Sequence, residues 1–394
     1  FGMHSPSAYV SSIATVSAAG LGLAELRHTL LKAPERRLPT TTALSDKPLV
    51  WGLVEDALLP TPEVTRTERL VLACLAQIED DVTRLIAHLG PDRVGVVLGS
   101  CTSGSLEIEQ GMREHATTGA LPPNFDIAHL NIHEPARFLA NRLGITGPVW
   151  TLSNACSSGA IALISAIRLV ASGLADAVIA GGIDGASHLT TAGFQALGAV
   201  SPAPCVPFDS RRCGINLGEG GALFVVTREA PDVADTVAVA GFCETSDAHH
   251  ISAPDPSGVQ ASRCMREALA MSGLTSQSVD LVSAHGTGTR LNDEAEMRAI
   301  SAVFGSDVPV VSYKALSGHT LAGAGALQCA IAAALLIDNP EGVLPSPGIA
   351  SPESIDVPVQ LLTETRRLGR PLTAVMTNAF AFGGSNASLL FSRI

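Results

Sequence analysis

The chain has 394 residues, of which 46% are hydrophobic and only 16% charged, so much of it must be buried in two core units or one large fused α/β body. A formal net charge of −12 argues against general nucleic-acid affinity, which needs a dense Lys/Arg surface to neutralise phosphate. Eight cysteines without C-x-x-C spacing read as reduced thiols of a cytoplasmic protein rather than as a disulfide framework.

Phe1-Gly2, ahead of Met3, read as an added leader and are set aside. Strand-like runs then alternate with helical patterns, which predicts βαβ units and a largely parallel sheet. The first-half strands are Tyr9–Val16, Val94–Gly99, Trp150–Ser153, Ala177–Gly181 and Ala222–Thr227. The second-half strands are Val237–Glu244, Val279–Ala284, Pro309–Ser312, Ala374–Asn378 and Ala387–Phe391. The matching order and punctuation predict a structural duplication. Proline and charge at Glu229-Ala230-Pro231-Asp232 put the boundary between halves 3–230 and 231–394. Two polar, irregular segments, Leu31 to Arg66 and Ala199 to Gly218, read as surface loops. The uncharged stretch Leu321 to Ile337 reads as a buried helix and not as a membrane span, and no signal peptide is expected.

The chemistry-bearing residues sit at strand ends and helix starts. Cys156, in Asn154-Ala155-Cys156-Ser157-Ser158-Gly159, runs into the helical pattern Ile161, Leu163, Ile164, Ile167. Backbone N–H groups at a helix start favour the thiolate, so a lowered thiol pKa is expected. Packing is the bland reading of a cysteine, and it suits Cys74, Cys264 and Cys329 on helix-like stretches. His285 follows a strand and opens Gly286-Thr287-Gly288-Thr289; His319 follows Lys314 at another strand end. Near the C-terminus, Phe380-Ala381-Phe382-Gly383-Gly384 reads either as an ordinary strand–turn–strand joint or as a turn whose backbone N–H serves an oxyanion, with phenylalanine controlling access. No local ligand pair indicates a metal site, and Walker and dinucleotide glycine motifs are absent.

In order and spacing, the Cys156, His285, Lys314–His319 and Phe380–Gly384 motifs resemble those of the β-ketoacyl-acyl carrier protein synthases of the Cys-His-His type. The resemblance runs from about Tyr9 to Phe391. It implies an α/β thiolase fold, an α-β-α-β-α five-layer sandwich built from two duplicated halves. It also implies that Cys156 carries the acyl group and that His285 and His319 stabilise the enolate left when a malonyl thioester loses CO2. Lys314 and Glu296 would support the histidines, the N–H groups of Cys156 and Phe380 would form the oxyanion hole, and Phe380 and Phe382 would form the gate.

The substrates implied are phosphopantetheine thioesters on acyl carrier protein, with no other cofactor and no metal. The partners implied are that carrier and a second subunit, either an identical copy or a ketosynthase-like chain-length factor. Arg66, Arg69, Arg211 and Arg212 match the family's docking surface and predict a basic patch; charge reversal at Arg69 and Arg212 should then raise KM for carrier-bound substrate. Cys213 and Ile215 stand where Asp and Phe are common, a departure that fits stand-alone enzymes of aryl polyene or type II polyketide pathways. Two alternatives stay open: a non-decarboxylative thiolase or acyltransferase, and a chain-length-determining subunit without catalysis.

Overall fold

The computed structural model describes residues 7–61, 63–232 and 235–394; residues 3–6 and 62 of the expected first half and 233–234 of the second lie outside them. Apolar runs rich in Val, Ile and Ala become the main strands: β1 (Ala8–Ser17), β2 (Val94–Gly99), β3 (Val149–Leu152), β4 (Ala177–Asp184) and β5 (Gly220–Thr227). The second set is β6 (Val237–Ser246), β7 (Leu281–Ser283), β8 (Pro309–Val311), β9 (Ala374–Phe380) and β10 (Ser385–Ser392). Their spatial order is 3-2-4-5-1 in one half and 8-7-9-10-6 in the other, the same permutation twice. Directions repeat as well. In each half the first three strands in spatial order pair in parallel, and the last two pairings are antiparallel. Antiparallel pairing of β1 with β6, Ala8 opposite Val239, joins the halves.

Six helices make the layers. The capping-box sequence Thr65-x-x-Glu68 starts α1 (Arg66–Leu89): Thr65 Oγ1 accepts the Glu68 N–H and the Glu68 carboxylate accepts the Thr65 N–H, a cap worth about 1 kcal/mol. Its apolar face joins Glu134–Leu143 in covering the first-half sheet, through a core that includes Leu70, Ile78, Leu139 and Ile179. On the far side, α3 (Val259–Ser272) and α4 (Arg290–Phe304) cover the second-half sheet through Met265, Leu269, Met297 and Ile300. Between the sheets lie α2 (Ser158–Ala171) and α5 (Ala322–Leu336). They are apolar nearly all round, as helices sunk in the core must be, and α2 is exposed only toward its C-terminal end, at Arg168 and Ala171. All fifteen residues of α5 are buried, and among the described residues no helix is long and apolar enough to cross a membrane.

The two central helices meet backbone to backbone. A Cβ on Gly159 would lie 2.7 Å from the Ala322 carbonyl oxygen, and one on Gly325 only 2.8 Å from the Ala160 nitrogen, so both positions require glycine. Contact at this range fixes the two helix starts relative to each other.

One expected surface loop is mostly interior. In the 199–218 segment Phe208, Asp209, Arg212, Asn216 and Leu217 are buried, because side chains satisfy the loop's polar backbone. The Asn216 side chain accepts the Cys205 N–H and donates to the Ala203 carbonyl, and Asp293 accepts the Phe208 N–H.

Candidate active site

The start of α2 carries the nucleophile. A turn, Ala155–Ser157, precedes the helix, and Ala155 adopts φ 51°, a left-handed conformation costing roughly 1–2 kcal/mol for a residue with a Cβ. Leu321, at the start of α5, repeats this with φ 52°. The equivalent strained turns set Cys156 at one central helix start and His319 at the other. His285 enters from the end of β7, and Lys314 from the short helix Lys314–Ser317 that follows β8.

One sulfur and one nitrogen from each imidazole, contributed by Cys156, His285 and His319, lie within 4.8 Å of one another. All three residues are buried, and the two rings meet edge to face at 5.5 Å and 84°. The hydrogen-bond network assigns the tautomers. His319 Nδ1 accepts the Leu321 N–H at 3.2 Å, and His285 Nδ1 faces Lys314 Nζ at 3.3 Å. Each ring therefore keeps its proton on Nε2. Burial and the nearby Lys314 charge hold both imidazoles well below the usual histidine range, so both are neutral donors. A soft metal could bridge three such ligand atoms, but ligation would need bare Nε2 atoms and would break the Lys314 and Leu321 contacts.

Lys314 also donates to the His285 carbonyl and, at 2.9 Å, to Gln328 Oε1. Burial lowers its pKa to about 8, against the stabilising charge of Glu296. Glu296 makes no ion pair with Lys314. Its carboxylate accepts the N–H groups of His285 at 2.8 Å and Gly286 at 2.7 Å, and burial pushes it up to about 7. Glu296 thus shapes the backbone on which His285 sits.

Two expectations about the nucleophile need correction. Burial pushes the Cys156 thiol up to about 12, with Asp184 adding to the rise, while Lys314 and the N–H groups of Cys156 and Phe382 oppose it. The helix start therefore does not leave a resting thiolate, because desolvation outweighs it. The backbone N–H that acts on the sulfur beside that of Cys156 is also not the expected one of Phe380 but that of Phe382. Phe380 ends β9, paired with Asn386, and packs on the outer core. Phe382 lies beyond it in a turn where Gly383 takes φ 81°, and its ring stacks on Phe194 at 5.8 Å. That turn lines a cleft of about 710 Å³ with Ser153, Asn154, Ala155 and Ile251, beside the turn that carries Cys156.

The family model described as beta-ketoacyl synthase, N-terminal domain, matches residues 60–231, and the one for the C-terminal domain matches residues 237–345. The chain belongs to the β-ketoacyl synthase family. The 3-oxoacyl-[acyl-carrier-protein] synthase 2 of Coxiella burnetii is 34% identical over 77% of this chain and 76% of its own length. Nodulation protein E of Rhizobium meliloti is 33% identical over 77% of this chain and 76% of its own. The ketosynthase ApeO of Xenorhabdus doucetiae, solved in complex with its chain length factor ApeC, superposes with a TM-score of 0.91 at 35% identity, covering 99% of this chain and 98% of that one. The fold is the thiolase fold of these ketosynthases, and the chain is an acyltransferase of the carbon–carbon bond-forming kind.

In this ketosynthase the four arginines assigned to docking do not form a free basic patch. Arg66 is held by Glu219 at 2.6 Å and Asp56 at 2.7 Å, and Arg69 by Asp56 at 2.7 Å, with side chains only 13% and 11% exposed. Arg212 is fully buried against Asp293, Glu294 and Glu353. Only Arg211 projects into solvent, and its guanidinium lies on Asp209 at 2.8 Å. Truncating one partner of a buried network leaves charge uncompensated, so Arg212→Ala should cost about 3–5 kcal/mol and lower the thermal midpoint by several degrees. Arg211→Ala, which removes a largely exposed guanidinium from Asp209, should lower it less. An Arg212→Ala protein as heat-stable as wild type would contradict the buried network.

Several residues of the site escaped the sequence reading. Asp184 accepts from Ser100, Cys101 and Thr102 with one oxygen and from the Ala322 N–H with the other, tying the end of β2 to the start of α5. Ser157 Oγ links the nucleophile turn to Ser385 at 3.0 Å. Cys101 lies against the same turn, its sulfur 3.6 Å from the Ala155 carbonyl. Gln328 could have been found as the one amide in an otherwise apolar helix, since a buried amide needs partners.

Proposed function

We propose that this ketosynthase joins an acyl group carried on Cys156 to the two-carbon unit of a malonyl thioester on acyl carrier protein. The observation that carries this reading is the meeting of one thiol and two neutral Nε2–H donors in a buried site. Cys156 attacks the acyl thioester, whose oxyanion accepts from the Cys156 and Phe382 N–H groups, and the thiol proton leaves with the carrier's thiol. The malonyl thioester then places its carbonyl oxygen between His285 and His319. Loss of CO2 leaves its electron pair as an enolate on that oxygen, where both donors stabilise it. The carbanion attacks the acyl-Cys156 carbonyl, the thiolate departs, and Sγ takes up one proton from solvent, as its raised pKa favours. The product is a β-ketoacyl chain longer by two carbons.

No cofactor beyond the carrier's phosphopantetheine arm enters this scheme. Eight unpaired thiols support a reducing compartment, the cytoplasm. Strand β3 is a half-buried sheet edge, and Met112, Ile127, Leu130 and Leu189 are exposed apolar side chains on neighbouring elements, which supports a second ketosynthase-like subunit as partner. Likeness to a ketosynthase solved with its chain length factor favours a secondary-product role, aryl polyene or type II polyketide. An intact Cys156 makes this chain the catalytic member of such a pair. The test is intact-mass detection of acyl transfer from a panel of acyl carrier thioesters, followed by addition of malonyl carrier. Wild type should gain the acyl mass and release an extended β-keto product; if no thioester labels it, the reading fails.

A further inference from the structure

Helix α5 is built of Ala, Gly, Leu, Ile and one Cys, except for a single amide, Gln328, which is 6% exposed. Every face of that amide is used. Nε2 donates to the Ala284 carbonyl at 2.9 Å and to the Asn378 carbonyl at 2.9 Å, while Oε1 accepts from Lys314 Nζ at 2.9 Å. The partners decide which way the amide faces, because the flipped group would set oxygen against two carbonyls and NH2 against an ammonium.

Each partner lies one step from the working groups. Ala284 immediately precedes His285, Asn378 lies on β9 leading to the Phe382 turn, and Lys314 faces His285 Nδ1. We infer that Gln328 is a positioning residue for enolate formation: its neutral amide braces two strand ends and holds the Lys314 ammonium on His285 Nδ1, which keeps the catalytic proton on His285 Nε2. It touches no substrate and acts through Lys314.

Neutrality is part of the design. A glutamate of the same shape would turn a carboxylate toward two carbonyl oxygens. It would also add negative charge beside a lysine that already faces Glu296, Asp293, Cys156 and Cys205. The lysine proton would then be held more tightly, and its deprotonation would move to higher pH.

The inference rests on the condensing function proposed above, and the test separates the two. In wild type, Gln328→Glu and Gln328→Met, acyl loading of Cys156 is followed by intact mass, and CO2 release from malonyl carrier is followed against pH. Loading should stay within about threefold of wild type in both variants. CO2 release should fall about tenfold or more in Gln328→Met, the scale of losing the outer partner of a working imidazole. In Gln328→Glu the alkaline limb of the CO2-release profile should move to higher pH. In a Lys314→Met background, Gln328→Met should add less than about twofold, because the two act as one unit. CO2 release like that of wild type in both variants, an unmoved limb, equal loss of loading and CO2 release in Gln328→Glu, or a full further loss in the Lys314→Met background would each overturn the inference. If Gln328→Met fails to load, the limb in Gln328→Glu, which keeps the shape of the side chain, decides. A wild type that loads acyl groups but releases no CO2 would instead refute the condensing reading.

Discussion

Cys156→Ala is expected to abolish acyl loading and condensation together, by about a thousandfold or more, because no other group takes the place of the sulfur. Thermal stability should change little, since the exchange removes one buried sulfur from a site walled by backbone, a loss of about 1 kcal/mol. Malonyl decarboxylation should persist, because His285, His319 and the Lys314 contact remain in place. Intact mass and CO2 release on one preparation separate the two activities. The revealing failure would be loading at the wild-type rate. Cys101, whose sulfur lies 3.6 Å from the Ala155 carbonyl, would then be the carrier, and the assignment of the nucleophile would be wrong.

His285→Ala and His319→Ala should show the opposite pattern. Each removes one Nε2–H donor from the oxygen that gains charge as CO2 leaves, and one such donor is worth roughly a hundred- to a thousandfold in rate. CO2 release and condensation should both fall on that scale, while loading of Cys156 stays within about tenfold, since the Cys156 and Phe382 N–H groups serve that step. Glutamine at either position can present an N–H near the lost one and should recover about tenfold of the deficit. Single-turnover measurements of loading and decarboxylation check this directly. If loading falls as far as CO2 release, the histidines act on the thiol and the division of labour drawn here is wrong.

The strands were legible because central strands of a parallel sheet are apolar on both faces and read as unbroken Val, Ile and Ala runs, as in Val94–Gly99 and Ala177–Asp184. Cys156, His285 and His319 stood out by sitting at strand ends or helix starts among small residues. What stayed hidden depends on contacts distant in sequence. Arg66 and Arg212 look like surface cations until folding brings up Glu219 and Glu353, 153 and 141 residues away. The choice between Phe380 and Phe382 turns on where β9 ends and Gly383 bends the chain, which spacing alone does not reveal. The helix start before Cys156 was visible, but the depth of burial that outweighs it was not.

The close contact of α2 and α5 at Gly159 and Gly325 bears on what each repeat could do by itself. The half with Cys156 holds a thiol with no donors for an enolate, and the half with His285 and His319 holds donors with nothing to carry an acyl chain. Neither fragment retains a weakened version of the reaction, so catalytic output reports directly on whether the two repeats have docked in register. The cleft beside the Phe382 turn can be reshaped without disturbing that register, because Cys156 and His319 hang from a rigid backbone joint.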